Sequence, residues 1–369
     1  MSNKKKIALL NMAYDNNYGG NLQRYALVTI LQRMGYSVEY LYIRNNWDDW
    51  FKTHTTKYIL KQSIKQLFRH LLKPQEEPWL VWHREDIEYK ERIKVTEPFV
   101  EKYIPHTQPI YSHSTLKRLF KKGRYDAIIA GSDQIWRKTY IERFGLKTYF
   151  LDFVPNCYKG KRVIYGASFG VDSAEYTQIE AEKIRPLFER LTAVSVREKS
   201  GMNLLAQYKW MVPQAEVVLD PTLLLMKRDY EKLIENADTK SAEGNMFCYI
   251  LDMTPEKEEQ IQNIAAAREL IPHVMTICDS CLVSIEQWLR YIRDAKYVYT
   301  DSYHGLLFSL IFHKPFKLII NKERGGTRFI NIEQIMNIHL NESIDWTLID
   351  KQLEIERQRS IRFLKRTLI

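Results

Sequence analysis

Short β-favouring runs alternate along most of the chain with stretches whose apolar residues recur every three or four positions. That alternation is the mark of strands feeding helices. Residues 6–12 predict a first strand. Leu22, Ala26 and Ile30, with Leu27, Leu31 and Met34, keep helical spacing until Gly35, and 38–43 reads as the second strand. A loop at 16–21, NNYGGN, joins the first strand to that helix. Residues 125–130, 162–167, 193–196 and 217–219 predict further strands. Helices fall at 176–191 and from Ser200-Gly201 onward. Residues 227–245 are charged and polar and read as a crossing between domains. Beyond them come a strand at 246–251, a helix at 255–270, a strand at 274–277 and a helix at 284–295. The clearest unit is 297–320, YVYTDSYHGLLFSLIFHKPFKLII: strand, polar turn at Asp301–His304, apolar helix at 306–312, a stop at Lys314-Pro315, and another strand. A glycine loop NKERGGTR, a short helix at 329–338 and a basic amphipathic helix at 351–368 complete the pattern.

Strands that alternate with helices predict parallel sheets covered on both faces. A chain of 369 residues is long for one core. The expectation is two Rossmann-like αβα domains facing a cleft. The first spans 1–226 with a helical, Trp-rich insertion at about 45–110, and the second spans 246–345. The C-terminal basic helix, 346–369, crosses back.

The insertion carries Trp47, Trp50, Trp79 and Trp82 and no clean strand. Within it, Ile59, Leu60, Ile64, Leu67, Phe68, Leu71 and Leu72 form one helical face. Lys57, Lys61, Lys65, Arg69 and Lys73 repeat every fourth residue on another. Such a helix either packs its stripe against a domain, the commoner arrangement, or lies on an anionic membrane.

Composition, 45% hydrophobic and 27% charged, is globular and excludes disordered and collagen-like classes. The basic start MSNKKK is followed by too short an apolar run for an export signal. No apolar run reaches the length of a bilayer span. Four cysteines, Cys157, Cys248, Cys278 and Cys281, form no disulfide ladder. Cys278 and Cys281 make a CxxC without a second pair, so no metal is expected. A reduced, cytoplasmic protein is the simplest reading. The net charge of +10 suits an anionic substrate, a membrane surface or nucleic acid. Dispersed basic residues and the lack of a binding module argue against nucleic acid.

Candidate chemistry lies where strands end, since ligands of open α/β sheets gather there. Gly19 and Gly20, beside Asn21, let backbone approach a ligand; a tight turn explains them equally. Asp133 and Gln134 leave the strand at 125–130, where Asp133 can deprotonate a hydroxyl and Gln134 can bind a sugar, or Ser132 or Asp133 simply caps a helix. Ser168 leaves the next strand. Arg197 can hold a carboxylate or phosphate through two parallel bonds, or pair with Glu198 at the surface. Ser302, Tyr303, His304 and Gly305 stand at a helix start, whose free N–H groups favour an anion.

NYGGNLQRYAL, AGSDQIW, YGASFG, SVREKSG, VLDPTLL and TDSYHGLLFSLIFHKPF occur in that order along nearly the whole chain. In these motifs the chain resembles the polysaccharide pyruvyl transferase family. The two-domain architecture is GT-B-like. The resemblance implies transfer of a pyruvyl group from phosphoenolpyruvate to a sugar diol, giving a cyclic ketal and phosphate, with no cofactor. It places the donor-binding arginine at Arg197 and the family's histidine at His304. By side-chain chemistry His304 is the expected proton donor or phosphate clamp, since its charge can change near neutral pH, and Asp133 the expected base. Several members carry an arginine two positions before that histidine. Here the position is Ser302, which removes a cation that Arg324 or Arg328 can replace. The implied partners are phosphoenolpyruvate and a sugar acceptor; a lipid-linked acceptor fits the basic helices and contact with an anionic membrane. The competing readings are a GT-B glycosyltransferase with a nucleotide-sugar donor and a non-catalytic carbohydrate-binding protein.

Overall fold

The computed structural model describes residues 4–44, 56–73, 88–121, 123–141, 145–210, 215–277, 282–320, 326–340 and 342–369. Cys278, Cys281, Arg324 and the four tryptophans of the insertion lie outside these residues.

Two parallel sheets organise the chain. The first holds β1 (Lys6–Leu10), β2 (Ser37–Tyr40), β3 (Ala127–Ala130), β4 (Lys161–Ala167), β5 (Ala193–Val196) and β6 (Glu216–Val217), in the order β2-β1-β3-β4-β5-β6. The second holds β7 (Met246–Ile250), β8 (Pro272–Thr276), β9 (Tyr297–Thr300) and β10 (Phe316–Leu318), in the order β10-β9-β7-β8. Every pairing is parallel. Each sheet therefore starts in its interior, builds to one side, then crosses to the other. The reversals fall between β1 and β3 and between β7 and β9. Strand connections diverge at such points and leave a crevice beyond the carboxyl ends.

The strands bury both faces. In β1, Ile7 and Leu9 enter one apolar core, while Ala8 and Leu10 enter another. In β7, Phe247 and Tyr249 face one way, while Met246, Cys248 and Ile250 face the other. The core that takes Ile7 and Leu9 is the same one that takes Phe247, Tyr249 and Val298. Apolar packing thus runs unbroken from one sheet to the other, and the architecture is GT-B-like.

Several elements start or stop where the sequence pattern does not. The helix Tyr18–Arg33 takes in Gly19 and Gly20 as its first turn, capped by Asn17, whose side chain accepts from the Gly20 N–H at 3.0 Å. An Asn cap outweighs the low helix propensity of the pair. The stretch 227–245 carries the helix Lys227–Glu235, which buries Tyr230, Leu233 and Ile234. The last helix, Trp346–Leu368, turns back onto the first half. Phe363 and Leu364 are buried there, and Phe363 lies 6.2 Å from the Tyr165 ring of β4. Ser360 Oγ accepts from the Leu219 N–H at 3.0 Å, and Arg357 Nε donates to the Leu223 carbonyl at 3.1 Å.

Candidate active site

A cleft of about 620 Å³ opens where the two reversal points face each other. Met12, Ala13 and Asp15 enter it after β1, and Asp133 and Gln134 after β3. Leu251 follows β7, and Asp301, Ser302, Tyr303 and His304 follow β9. Arg328 and Phe329 come from the helix Thr327–Met336.

Three helices begin at this cleft: Tyr18–Arg33, Tyr303–Ile311 and Thr327–Met336. None has an acidic residue in its first turn. The positive ends of their dipoles point at the cleft, and first-turn N–H groups lack intrahelical acceptors. Ser302 caps the 303–311 helix by accepting from the Gly305 N–H at 3.3 Å. His304 is consequently a first-turn residue, not part of a turn before the helix. All nine residues of that helix are buried, which fixes His304 rigidly.

The two halves touch at His304. A Cβ built on Gly19 would lie 1.9 Å from His304 Nδ1, so only glycine lets the imidazole rest on the first helix. Nearby, Tyr18 stacks on Trp288 at 5.4 Å. Its hydroxyl donates to the Val283 carbonyl at 2.8 Å and accepts from the Val283 N–H at 3.0 Å.

Behind this wall sits Asp220. Its Oδ2 accepts from Gln23 Nε2 at 2.6 Å and from Arg197 at 2.7 Å. Its Oδ1 accepts from the Thr222 N–H at 3.0 Å and hydroxyl at 2.7 Å. His304 Nε2 lies 3.7 Å from Oδ2, beyond hydrogen-bond length, and is buried without a hydrogen-bond partner. Burial opposes ionisation of Asp220, but His304, Arg197 and Thr222 hold its carboxyl well below the ordinary range. Glu198 is the contrasting case. Burial raises its carboxyl despite Arg197 at 3.8 Å.

Arg197 does not line the cleft. Its buried guanidinium is taken up by Asp220, with Asp133 at 3.5 Å, and lies 4.9 Å from the centre of the Tyr303 ring. Arg197 and His304 thus converge on one carboxylate instead of facing each other across a hollow. A buried arginine needs a counter-charge, and this sequence places Asp220 within reach. Asn21, Ser168 and Gly305 also stand behind the wall. Asn21 accepts from Arg24 at 2.6 Å and donates to the Asp15 carbonyl at 3.1 Å. Ser168 Oγ accepts from the Gly170 N–H at 2.9 Å. Gly305 leaves no room for a side chain, since a Cβ there would meet Thr300 Oγ1 at 2.4 Å.

Gly19, Gly20, Asp133, Gln134, Ser302, Tyr303, His304 and Arg328 do line it. Arg328 is buried, and its guanidinium is also 4.9 Å from the Tyr303 centroid. Burial first, and then the charge of Arg197, disfavour its ionised form. Asp133 has a φ of 81°, uncommon for a side chain with a Cβ. Its carbonyl accepts from the Ile135 and Ser168 N–H groups, which holds it there. Gln134 Nε2 is buried without a partner. Asp301 is a brace: it accepts from the Leu251 N–H and from Lys257, both at 2.7 Å.

Sequence reasoning passed over Asp220 and Arg24. Both lie inside the motifs VLDPTLL and NLQRYAL. Asp220 does accept from Thr222, but its second oxygen serves the site. Arg24 lines the cleft and ties down the preceding loop through the Met12 carbonyl at 2.7 Å.

Fold and site define an α/β protein with a cleft between two parallel sheets. The chain belongs to the polysaccharide pyruvyl transferase family, whose sequence profile matches residues 17–323. No curated protein matches it in sequence. Solved structures with a similar course include the UDP-GlcNAc 2-epimerase of Methanocaldococcus jannaschii in complex with UDP-GlcNAc and UDP, at 10% identity and a TM-score of 0.49, covering 99% of each chain. An uncharacterized protein from Klebsiella pneumoniae matches at 11% identity and 0.48, over 92% of each chain. The UDP-GlcNAc-bound epimerase of Neisseria meningitidis matches at 9% and 0.45, over 99% of this chain and 94% of that one.

Proposed function

We propose that the protein transfers the pyruvyl group of phosphoenolpyruvate to a sugar diol of a surface polysaccharide or its lipid-linked precursor, in the cytoplasm. The observation that carries this reading is the convergence of three helix N-termini, His304 and Arg328 at one end of the cleft. Phosphoenolpyruvate presents a carboxylate and a phosphate, and both need donors and positive charge. Arg328 supplies the cation that Ser302 does not.

The reaction begins with proton delivery to carbon 3 of the enol. A sugar hydroxyl then bonds to carbon 2, the carbon–oxygen bond to phosphate breaks, and the second hydroxyl closes the ketal. The two hydroxyl protons end on carbon 3 and on phosphate. His304 donates the first proton or clamps the phosphate; Asp133 accepts a hydroxyl proton. Asp220 and Arg197 are positioning groups, one orienting the imidazole and the other anchoring Asp220. The outer part of the cleft, with Asp15, Asn16, Thr139 and the part-exposed ring of Tyr140, receives the acceptor. A flat ring with polar neighbours suits a pyranose face.

The test is phosphate release from phosphoenolpyruvate across a panel of sugars with neighbouring hydroxyls, with the ketal detected by mass spectrometry. His304→Ala lowers the rate by a factor on the order of a hundred or more. Release that persists in His304→Ala, or no release with any diol, rejects the reading. A melting temperature raised by a nucleotide sugar and not by phosphoenolpyruvate favours a glycosyltransferase.

A further inference from the structure

One surface helix displays its apolar side chains instead of burying them. In Thr56–Leu72, Leu60, Ile64, Leu67, Phe68, Leu71 and Leu72 are between 41% and 81% exposed. At helical spacing they fall within an arc of roughly 140°. Gln66 and His70, on the opposite side, are buried. The helix is therefore seated through polar residues and turns its apolar stripe outward, the reverse of a helix covering a domain. Lys61, Lys65 and Arg69 run along one flank of the stripe and Lys73 follows just past the helix, all exposed. No acidic residue occurs between 56 and 73.

We propose that this helix docks the protein on an anionic lipid bilayer. It lies in the plane of the interface, with Leu60, Ile64, Leu67, Phe68 and Leu71 among the upper acyl chains and the basic row at the headgroup phosphates. An apolar arc bordered by cations is the pattern that partitions to such a surface. No described helix is long and apolar enough to cross a membrane, so this one rests on it. A second copy of the chain fits poorly: pairing two such faces brings basic rows together with no acid in either helix to offset them. This surface does not depend on the pyruvyl reading, and its test uses no turnover.

The experiment is co-sedimentation of the full chain with vesicles. One set is phosphatidylcholine alone; the other has phosphatidylglycerol as about a third of the lipid. The chain binds the anionic set, and added salt weakens the binding. Lys61→Gln with Lys65→Gln and Arg69→Gln weakens it on the order of tenfold or more. Leu67→Ser with Leu71→Ser does the same, while Ile271→Ser, equally exposed elsewhere, leaves it unchanged. Hydrogen exchange of the unmodified chain slows across 60–72 when anionic vesicles are added, which tests the face without a variant. Three results overturn the proposal: no binding to the anionic set, equal binding by the Leu67/Leu71 variant, or a dimer in sedimentation equilibrium that those substitutions dissolve.

Discussion

Gly19 and His304 come from opposite halves of the chain and meet at van der Waals range, so a single methyl group tests the site. Gly19→Ala pushes the imidazole aside; we expect a rate loss of tenfold or more with a stability loss of about 1–3 kcal/mol. In Gly19→Ala combined with His304→Ala the clash is gone, so the melting temperature recovers while the rate falls to that of His304→Ala. If the double variant melts no higher than Gly19→Ala alone, the contact is not what costs stability. Asp220 gives a pH test. Its folded-state carboxyl is depressed, so its contribution is complete above about pH 4 and is lost as pH falls through the lower folded value. Melting temperature against pH therefore shows an acid limb in the parent that Asp220→Asn lacks. Glu198 has the opposite sign. Its carboxyl is raised by burial, so its contribution is complete below about pH 4 and is lost as pH rises. Glu198→Gln then melts higher than the parent at neutral pH, with the gap closing in acid. Matching curves for parent and variant reject either assignment.

At the scale of elements, the 303–311 helix is the piece on which the cleft depends, and much of it was legible. An apolar run after a β-favouring tetrad, ended by Lys-Pro, left one reasonable reading. Its start was less legible, because Ser302 had to be recognised as a cap while it also stood where a substrate group was expected. Ser302→Ala separates the roles. A cap costs about 1 kcal/mol of stability with little change in phosphoenolpyruvate affinity; a binding role raises KM without moving the melting temperature. Gly19 and Gly20 were read as loop because propensity favours it, and the Asn17 cap overrode that. Arg197 reads as a ligand clamp because it stands at a strand exit and matches the family's donor-binding arginine; its counter-ion lies 23 positions on, and no local pattern ties Arg197 to Asp220. The helix 56–72 was found by periodicity, but periodicity does not say which face a protein turns outward.

For the whole molecule, the unbroken core between the sheets makes the halves one unit. Calorimetry should show a single unfolding transition, and Tyr18→Ala, which loses the Trp288 stack and both Val283 bonds, should lower it as a whole by about 3–5 kcal/mol. Two transitions, with only one moved, contradict that. The returning helix Trp346–Leu368 adds a constraint in time. A ribosome makes all six strands of the first sheet before it makes Phe363 and Leu364, which close the core over Tyr165. Where many domains settle while synthesis continues, this one is left with an uncovered apolar patch until the helix Trp346–Leu368 emerges. Ribosome-arrested chains that stop short of residue 346 should therefore be cut readily by protease within the first sheet and should recruit chaperones, although every strand is already present.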